Sequence, residues 1–285
     1  MIFAIEPALL SGQFTKQYER TARPRLPSMP LTRALGPMAV VALHDGDGTF
    51  FQPREEAFPQ VSDELWARAD ERDPGAVTAD GQWLLRFRCF AVRHGDRVTL
   101  VDAGIGPADS LAASWAPVPG RLPQELAAAG IDPADVDTVV LSHLHTDHIG
   151  WAVIGTPYFP NATYLVQRAD VAAFARPALE DRLFAPLKAT GQLRLVEGDV
   201  PISAGVTAIA TPGHTPGHQS VLVEYGEQQL LITGDLLVHA VQLIAPDIPY
   251  LHEMDPETAR NSRTKLLKPD IILATPHLTE PFVRA

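Results

Sequence analysis

The sequence predicts an α/β (α+β) fold in which two mixed β-sheets are covered by helices. Three observations predict it. Strand-like apolar runs recur from Gln82 onward, helical patterns are interspersed among them, and histidines and aspartates stand just past several strand ends. Before Gln82 the pattern is weaker: "RPRLPSMP" reads as a linker, "MAVVAL" (38–43) as a strand and "PREEAFPQVSDELWARADER" as partly helical. "WLLRFRCFAVR" and "RVTLVDAG" are then two strands joined through His94, Gly95 and Asp96, a hairpin turn. "LPQELAAAG" is a helix closed by Gly130, and "DTVVLS" is a buried strand. "ATYLVQ" continues as a strand and "RADVAAFAR" as a helix. Short strands are expected at 193–196, 206–210, 220–224 and 229–233, the last two separated by the turn "EYGEQ". "DPETARNSRTKLL" is a helix capped by Asp255 with Pro256 at its first position, and "DIILA" is the final strand.

A chain of 285 residues can bury a sizeable core, and one domain is the expectation for 1–285, with 1–80 an N-terminal extension that contributes pocket or dimer contacts. The formal net charge of −11 argues against nucleic acid as a partner, because such binding rests on Lys and Arg neutralising phosphates. A single cysteine, Cys89, excludes an intrachain disulfide and reads as a small packing residue in its strand. "MIFAIEPALLSGQF" lacks the basic start and the cleavage site of a signal peptide, and no run reaches the ~18 apolar residues of a membrane span. A cytoplasmic protein that does not engage a membrane is therefore expected.

The chemistry concentrates in "HLHTDH", His143 to His148, directly after the strand "DTVVLS". Residues two apart on an extended segment share a face, so His143 and His145 can converge on one point, and Asp147 and His148 can turn toward a second. A lone histidine is ordinarily a surface or satisfied core residue. Four such groups in six residues are different, because packed imidazoles repel when protonated and are costly to bury unpaired. A metal resolves both problems. His214 and His218 follow a strand in "TPGHTPGH", Asp235 ends "LLITGD" and His277 ends "IILATPH", which brings three more strand ends to the same edge. Imidazole and carboxylate donors without thiolate suit Zn, Mn, Fe, Co or Ni.

The ordered pattern HxHxDH, then H, then D, then H over residues 80–285 resembles the metallo-β-lactamase-fold hydrolases. The resemblance implies their αβ/βα sandwich and a dinuclear centre of two divalent ions, zinc first, with Mn, Fe or Co as the other choices. His143, His145 and His214 would hold one ion, Asp147, His148 and His277 the other, and Asp235 would bridge them. Asp102 in "LVDAG" matches the family's acidic residue behind the site, and His218 is expected to hydrogen-bond nearby backbone rather than touch metal.

For such a centre the expected reaction is hydrolysis by a metal-bridging hydroxide, with Asp147 and Asp235 as the catalytic carboxylates. "TPGHTPGHQSVLVE" looks like the N-acyl homoserine lactone lactonases. "HIGWAV", "PYFPNATYLVQRAD" and "GDLLVHAVQL" look like the group that contains methyl parathion hydrolase. Val238 stands where the lactonase branch commonly has tyrosine. The expectation is a hydrolase opening lactones or cleaving carboxylic (aryl) esters of small molecules, with phosphotriester cleavage as the alternative and a non-catalytic metal-binding relative as the minority reading. True β-lactamases differ at the position of Asp235. Glyoxalase II is longer, and the di-iron redox branch has glutamate in its first pair. Phe50, Phe51, Phe58, Trp66 and His239 are expected to build the substrate pocket, whereas His44, His94 and His252 read as surface residues. A homodimer is left open.

Overall fold

The computed structural model describes residues 30–285; "MIFAIEPALLSGQF" and nearly all of "RPRLPSMP" lie outside the described residues. The strands are β1 (Thr32–Leu35), β2 (Met38–Thr49), β3 (Leu84–His94), β4 (Arg97–Val101), β5 (Val136–Val140), β6 (Val153–Ile154), β7 (Thr156–Pro157), β8 (Thr163–Gln167), β9 (Leu193–Val196), β10 (Val200–Ser203), β11 (Val206–Ala210), β12 (Gln219–Tyr225), β13 (Gln228–Ile232), β14 (Ile272–Ala274) and β15 (Phe282–Arg284). One sheet has the order β1-β2-β3-β4-β5-β8-β9 and the other β10-β11-β12-β13-β14-β15, while β6 and β7 form a small hairpin. Both large sheets are mixed, as the αβ/βα sandwich implied by the resemblance requires. β4, β5, β8 and β9 run parallel, as do β13 and β14, and the remaining neighbours are antiparallel.

Period-two alternation makes the layers. In β3, Phe90 and Val92 face the opposite sheet while Cys89 and Ala91 face the outer helices. β4, β5 and β8 repeat this with Val101, Val140 and Leu165 inward and Leu100, Val139 and Tyr164 outward. The inner core is completed from the second sheet by Val206, Val221, Val223, Leu230 and Ile232.

The structure modifies the expected elements in two places. The expected strand "MAVVAL" is longer than its apolar run, because β2 continues to Thr49 and pairs with β3 along its length, with a register shift between His44 and Gly46. That shift absorbs the turn-forming "HDGDG" segment without ending the strand. The β3–β4 turn is also tighter than three residues, since His94 pairs with Arg97 and Gly95 takes φ 63°.

Helix Pro256–Leu266 begins as expected, with the Asp255 carboxylate accepting from Thr258 N–H at 3.0 Å. It packs so close to the "TPGH" loop that a Cβ on Gly213, at φ 134°, would lie 2.1 Å from Ala259 N. From its inner face the fully buried Arg263 guanidinium pairs with Glu253 and donates to the carbonyls of Pro246 at 2.9 Å and Ile248 at 3.1 Å. The other Glu253 oxygen accepts from Tyr250 N–H at 3.2 Å, so this pair shapes the chain between Asp235 and the helix. Among the described residues no helix is long and apolar enough to cross a membrane.

Removing one partner of a buried ion pair leaves an uncompensated charge, so Glu253→Ala should lower stability by about 3–5 kcal/mol. Urea denaturation of the variant checks this; a loss under ~1 kcal/mol would show that the carbonyls alone satisfy Arg263.

Candidate metal centre

All the candidate ligands follow the C-terminal ends of strands that point to one edge of the sandwich. β5 is followed by His143, His145, Asp147 and His148, β11 by His214, β13 by Asp235 and β14 by His277. The side chains collect into two groups whose donor atoms lie within 4.8 Å of one another: His143, His145, His214 and Asp235 in one, and Asp147, His148 and His277 in the other. In the first, His145 Nδ1 is 2.9 Å from His143 Nε2 and 3.0 Å from His214 Nε2. Asp235 Oδ2 is 3.2 Å from His214 Nε2 and 3.7 Å from His143 Nε2. Its other oxygen faces the second group, at 3.2 Å from His148 Nε2 and 3.1 Å from His277 Nε2. Asp147 Oδ2 completes that group, 3.3 Å from His148 Nε2 and 3.7 Å from His277 Nε2.

Hydrogen bonds on the far side of each ring decide which nitrogen faces inward. The Asp102 carboxylate accepts from Ser142 N–H at 2.7 Å, from the Ser142 hydroxyl at 2.9 Å and from His148 Nδ1–H at 2.8 Å. Because that hydroxyl proton is committed, Ser142 Oγ accepts from His143 Nδ1–H at 3.0 Å. His277 Nδ1–H donates to the Arg86 carbonyl at 2.8 Å. His143, His148 and His277 therefore turn Nε2 to the interior, where it can offer a lone pair. Asp102 reaches this position in the left-handed region, at φ 64°.

These donors fit a bound cation. A tetrahedral zinc with ligand bonds of 2.0–2.1 Å sets neighbouring nitrogens roughly 3.3 Å apart, close to the spacings in the first group. Buried His148 Nε2 and Asp235 Oδ1 have no hydrogen-bond partner although they lie within reach of each other, so both are turned toward a shared centre. Burial and the neighbouring imidazole of His148 hold His143 well below the ordinary histidine range, and burial and His214 hold His145 down at about 3. Burial alone would raise the Asp235 carboxyl, but the facing rings of His148, His277 and His143 outweigh it and keep it well below the usual range. Burial alone would lower His148 and His277 as well, but the facing carboxylates of Asp147 and Asp235 outweigh it and hold His148 well above and His277 above the ordinary range, so a cation bound there would take the place of their inward protons.

His218 is fully buried beside this cluster and turned away from its centre. Its Nδ1 lies 3.1 Å from the Thr211 carbonyl and 2.8 Å from the Thr211 hydroxyl, and its Nε2 accepts from Asp235 N–H at 2.9 Å. A Cβ on Gly234, at φ 51°, would lie 2.8 Å from that Nε2, so glycine lets the Asp235 backbone approach.

The centre forms the floor of a cavity of about 340 Å³ with walls from Phe50, Phe51, Trp83, Trp115, Phe174, Val238, Tyr250 and His252. Phe50 and Phe51 line it, the latter 64% exposed at its mouth. Three other expectations for the pocket are corrected. His239 is buried instead among Phe58, Trp66 and Trp83, with ring centroids 5.3–5.6 Å away, and its Nδ1 accepts from Val241 N–H. Phe58 and Trp66 belong to the same packed cluster behind the wall, because helix Asp63–Arg72 turns its apolar side inward. His252, expected at the surface, lines the cavity and bonds Gln52 at 2.8 Å. Tyr250, Trp115 and Phe174 were not singled out by sequence. Trp115 and Phe174 cap the C-terminal ends of the short helices Leu111–Ser114 and Arg168–Ala173, the latter ending before the "FAR" of the expected helix, and Tyr250 lies outside any helix or strand, so no periodic pattern marks them as cavity residues.

Known proteins share parts of this sequence and its fold. An N-acyl homoserine lactonase from Bacillus cereus is 30% identical over 51% of this chain and 56% of its own length. The N-acyl homoserine lactonase AttM from Agrobacterium fabrum is 39% identical over 39% of this chain and 45% of its own. The chain thus spans about half the length of these curated relatives. Among solved structures, hydrolase AbOPH of the beta lactamase superfamily superposes with a TM-score of 0.74 at 26% identity, covering 90% of this chain and 93% of its own. The family model of the Metallo-beta-lactamase superfamily matches residues 88–277, from within β3 to the last candidate ligand, and the chain belongs to that superfamily.

Proposed function

We propose that this protein is a dinuclear metal-dependent hydrolase that opens lactones or cleaves carboxylic esters, aryl esters among them. The observation that carries this reading is Asp235, whose two oxygens face two separate groups of donors on the floor of an aromatic cavity. The partial matches to N-acyl homoserine lactonases support the ester-type bond. His143, His145 and His214 would hold one ion and Asp147, His148 and His277 the other, with Asp235 shared; zinc is the ion we propose.

Two divalent ions held there would acidify water and polarise a carbonyl oxygen. The remaining work falls to the chain. Asp147 both lines the cavity and sits against His148, so its carboxylate can orient the attacking water and take up its proton. Asp102, Ser142 and the Arg86 carbonyl keep the imidazoles in the tautomers that leave Nε2 free. Phe50, Trp83, Trp115, Phe174 and Tyr250 supply apolar surface that excludes water from the reacting bond and holds the acyl or aryl part of the substrate.

The test is a hydrolysis panel of lactones, aryl esters, phosphotriesters, phosphodiesters and a β-lactam with zinc-loaded protein. Lactones or carboxylic esters should give the highest kcat/KM, and Phe51→Leu should reorder them without changing metal content. A panel led by phosphotriesters, or with no turnover at all, would overturn the reading.

Elemental analysis after reconstitution should find about two ions per chain. Asp235→Asn should lower occupancy of both sites. His218→Ala should keep both ions while costing about 1–3 kcal/mol of stability, because it leaves Asp235 N–H buried without an acceptor. Loss of an ion in His218→Ala would place that histidine among the ligands.

Asp147→Asn keeps the size of the side chain and removes its charge. Its kcat should fall by orders of magnitude while the far-UV circular dichroism stays native. A fall of less than about threefold, ~0.7 kcal/mol of barrier, would remove Asp147 from the mechanism.

A further inference from the structure

Asp170 is fully buried in the short helix Arg168–Ala173 that follows β8, yet it belongs to neither group of donors. Its two oxygens point to two different loops. Oδ1 accepts from Gly217 N–H at 2.6 Å, in the loop that carries His214, and Oδ2 accepts from Leu144 N–H at 3.2 Å, between His143 and His145. The fit is tight: a Cβ on Gly217 would lie 2.5 Å from Asp170 N and 2.9 Å from Oδ1, so the second glycine of "TPGHTPGH" makes room for this contact. Beside it, Gln167 Nε2 donates to Gln219 Oε1 at 3.0 Å, and Gln219 Nε2 donates to the Leu141 carbonyl at 2.8 Å. A polar seam therefore joins the loop after β5, in one sheet, to the loop before β12, in the other.

We propose that Asp170 is a positioning residue for the first group of donors. By tying the backbone of Leu144 to that of Gly217, it sets the distance between the His143/His145 pair and His214. The proposal rests on the reading of that group as a metal site. It follows from the topology, because His143 and His145 hang from one sheet and His214 from the other, and small relative shifts of the two loops would spread the three nitrogens. The second group does not depend on this tie: His148 is held by Asp102 and His277 by the Arg86 carbonyl.

The experiment is a cobalt(II) titration followed by visible absorption in two backgrounds. His277→Ala depletes the second group and leaves the first with its full donor set; His214→Ala does the reverse. Adding Asp170→Asn, which sets an amide N–H against one of the two backbone N–H groups, should weaken cobalt binding about 10–100-fold in the His277→Ala background and alter the ligand-field bands. In the His214→Ala background it should change affinity less than about threefold, a contrast that general destabilisation would not produce.

Asp45→Asn is the control for lost buried carboxylate hydrogen bonds. Asp45 is equally buried and accepts from Ile105 N–H and Leu122 N–H at 2.6 Å, outside both groups, so this variant should melt earlier but bind cobalt as its parent does. Should Asp170→Asn fail to fold, Asp170→Glu keeps a carboxylate one methylene longer and should show the same site-selective weakening. Equal cobalt affinity with and without the Asp170 change, or equal weakening in both backgrounds, would overturn the proposal. Absence of cobalt binding by the unmodified protein would instead overturn the metal-site reading together with it.

Discussion

The centre depends on protons being drawn outward. An imidazole offers a lone pair on one nitrogen only when the other holds the proton, and in water the two tautomers exchange freely. Here Asp102 removes that freedom. It accepts a hydrogen bond from His148 Nδ1–H and another from the Ser142 hydroxyl, which obliges Ser142 to accept from His143. One carboxylate thus fixes two rings in two steps, and the Arg86 carbonyl fixes a third. The left-handed backbone at Asp102 is the local cost of aiming that carboxylate back under the loop.

The sandwich makes this arrangement economical. Every candidate ligand sits just beyond the C-terminal end of a strand, where the ladder stops and side chains can turn inward together. The inner apolar layer holds the two sheets at a fixed spacing, and the loops inherit that spacing. Asp235 shows the consequence most clearly. His218, immediately before the neighbouring strand β12, accepts from the Asp235 backbone N–H, while the Asp235 carboxylate spans the two groups of donors. The carboxylate is thereby placed by the backbone rather than by its own flexible torsions.

The cavity has a different origin. Its walls come from the end of β2, the start of β3, and the segments around Trp115, Phe174 and Tyr250. These share no periodicity and meet only because the sheets and the Glu253–Arg263 pair bring them together. Aromatic residues of the same stretch divide between roles: Phe50 and Phe51 face the cavity, while Phe58 and Trp66 pack behind it with His239. A sequence shows that such residues are apolar and near one another, but it does not show on which side of the wall each ring falls.

What the sequence by itself determined was the layered fold and the candidate ligand set. Alternation in "RFRCFAV" and "DTVVLS" assigns faces, and "HLHTDH" concentrates more unpaired donors than a protein interior tolerates without a cation. The alternation and the "HLHTDH" cluster are local signals, carried by residues within a few positions of one another, whereas His214, Asp235 and His277 join the set through the resemblance of the ordered pattern to the metallo-β-lactamase-fold hydrolases. What only the tertiary structure decided was which backbone group His218 meets, the Asp235 N–H, the tie from Asp102 through Ser142 to His143, and the entry of His252 and Tyr250 into the cavity. Each depends on contacts between segments tens of residues apart, and the direction of a side chain at the end of such a contact is set by what packs against it.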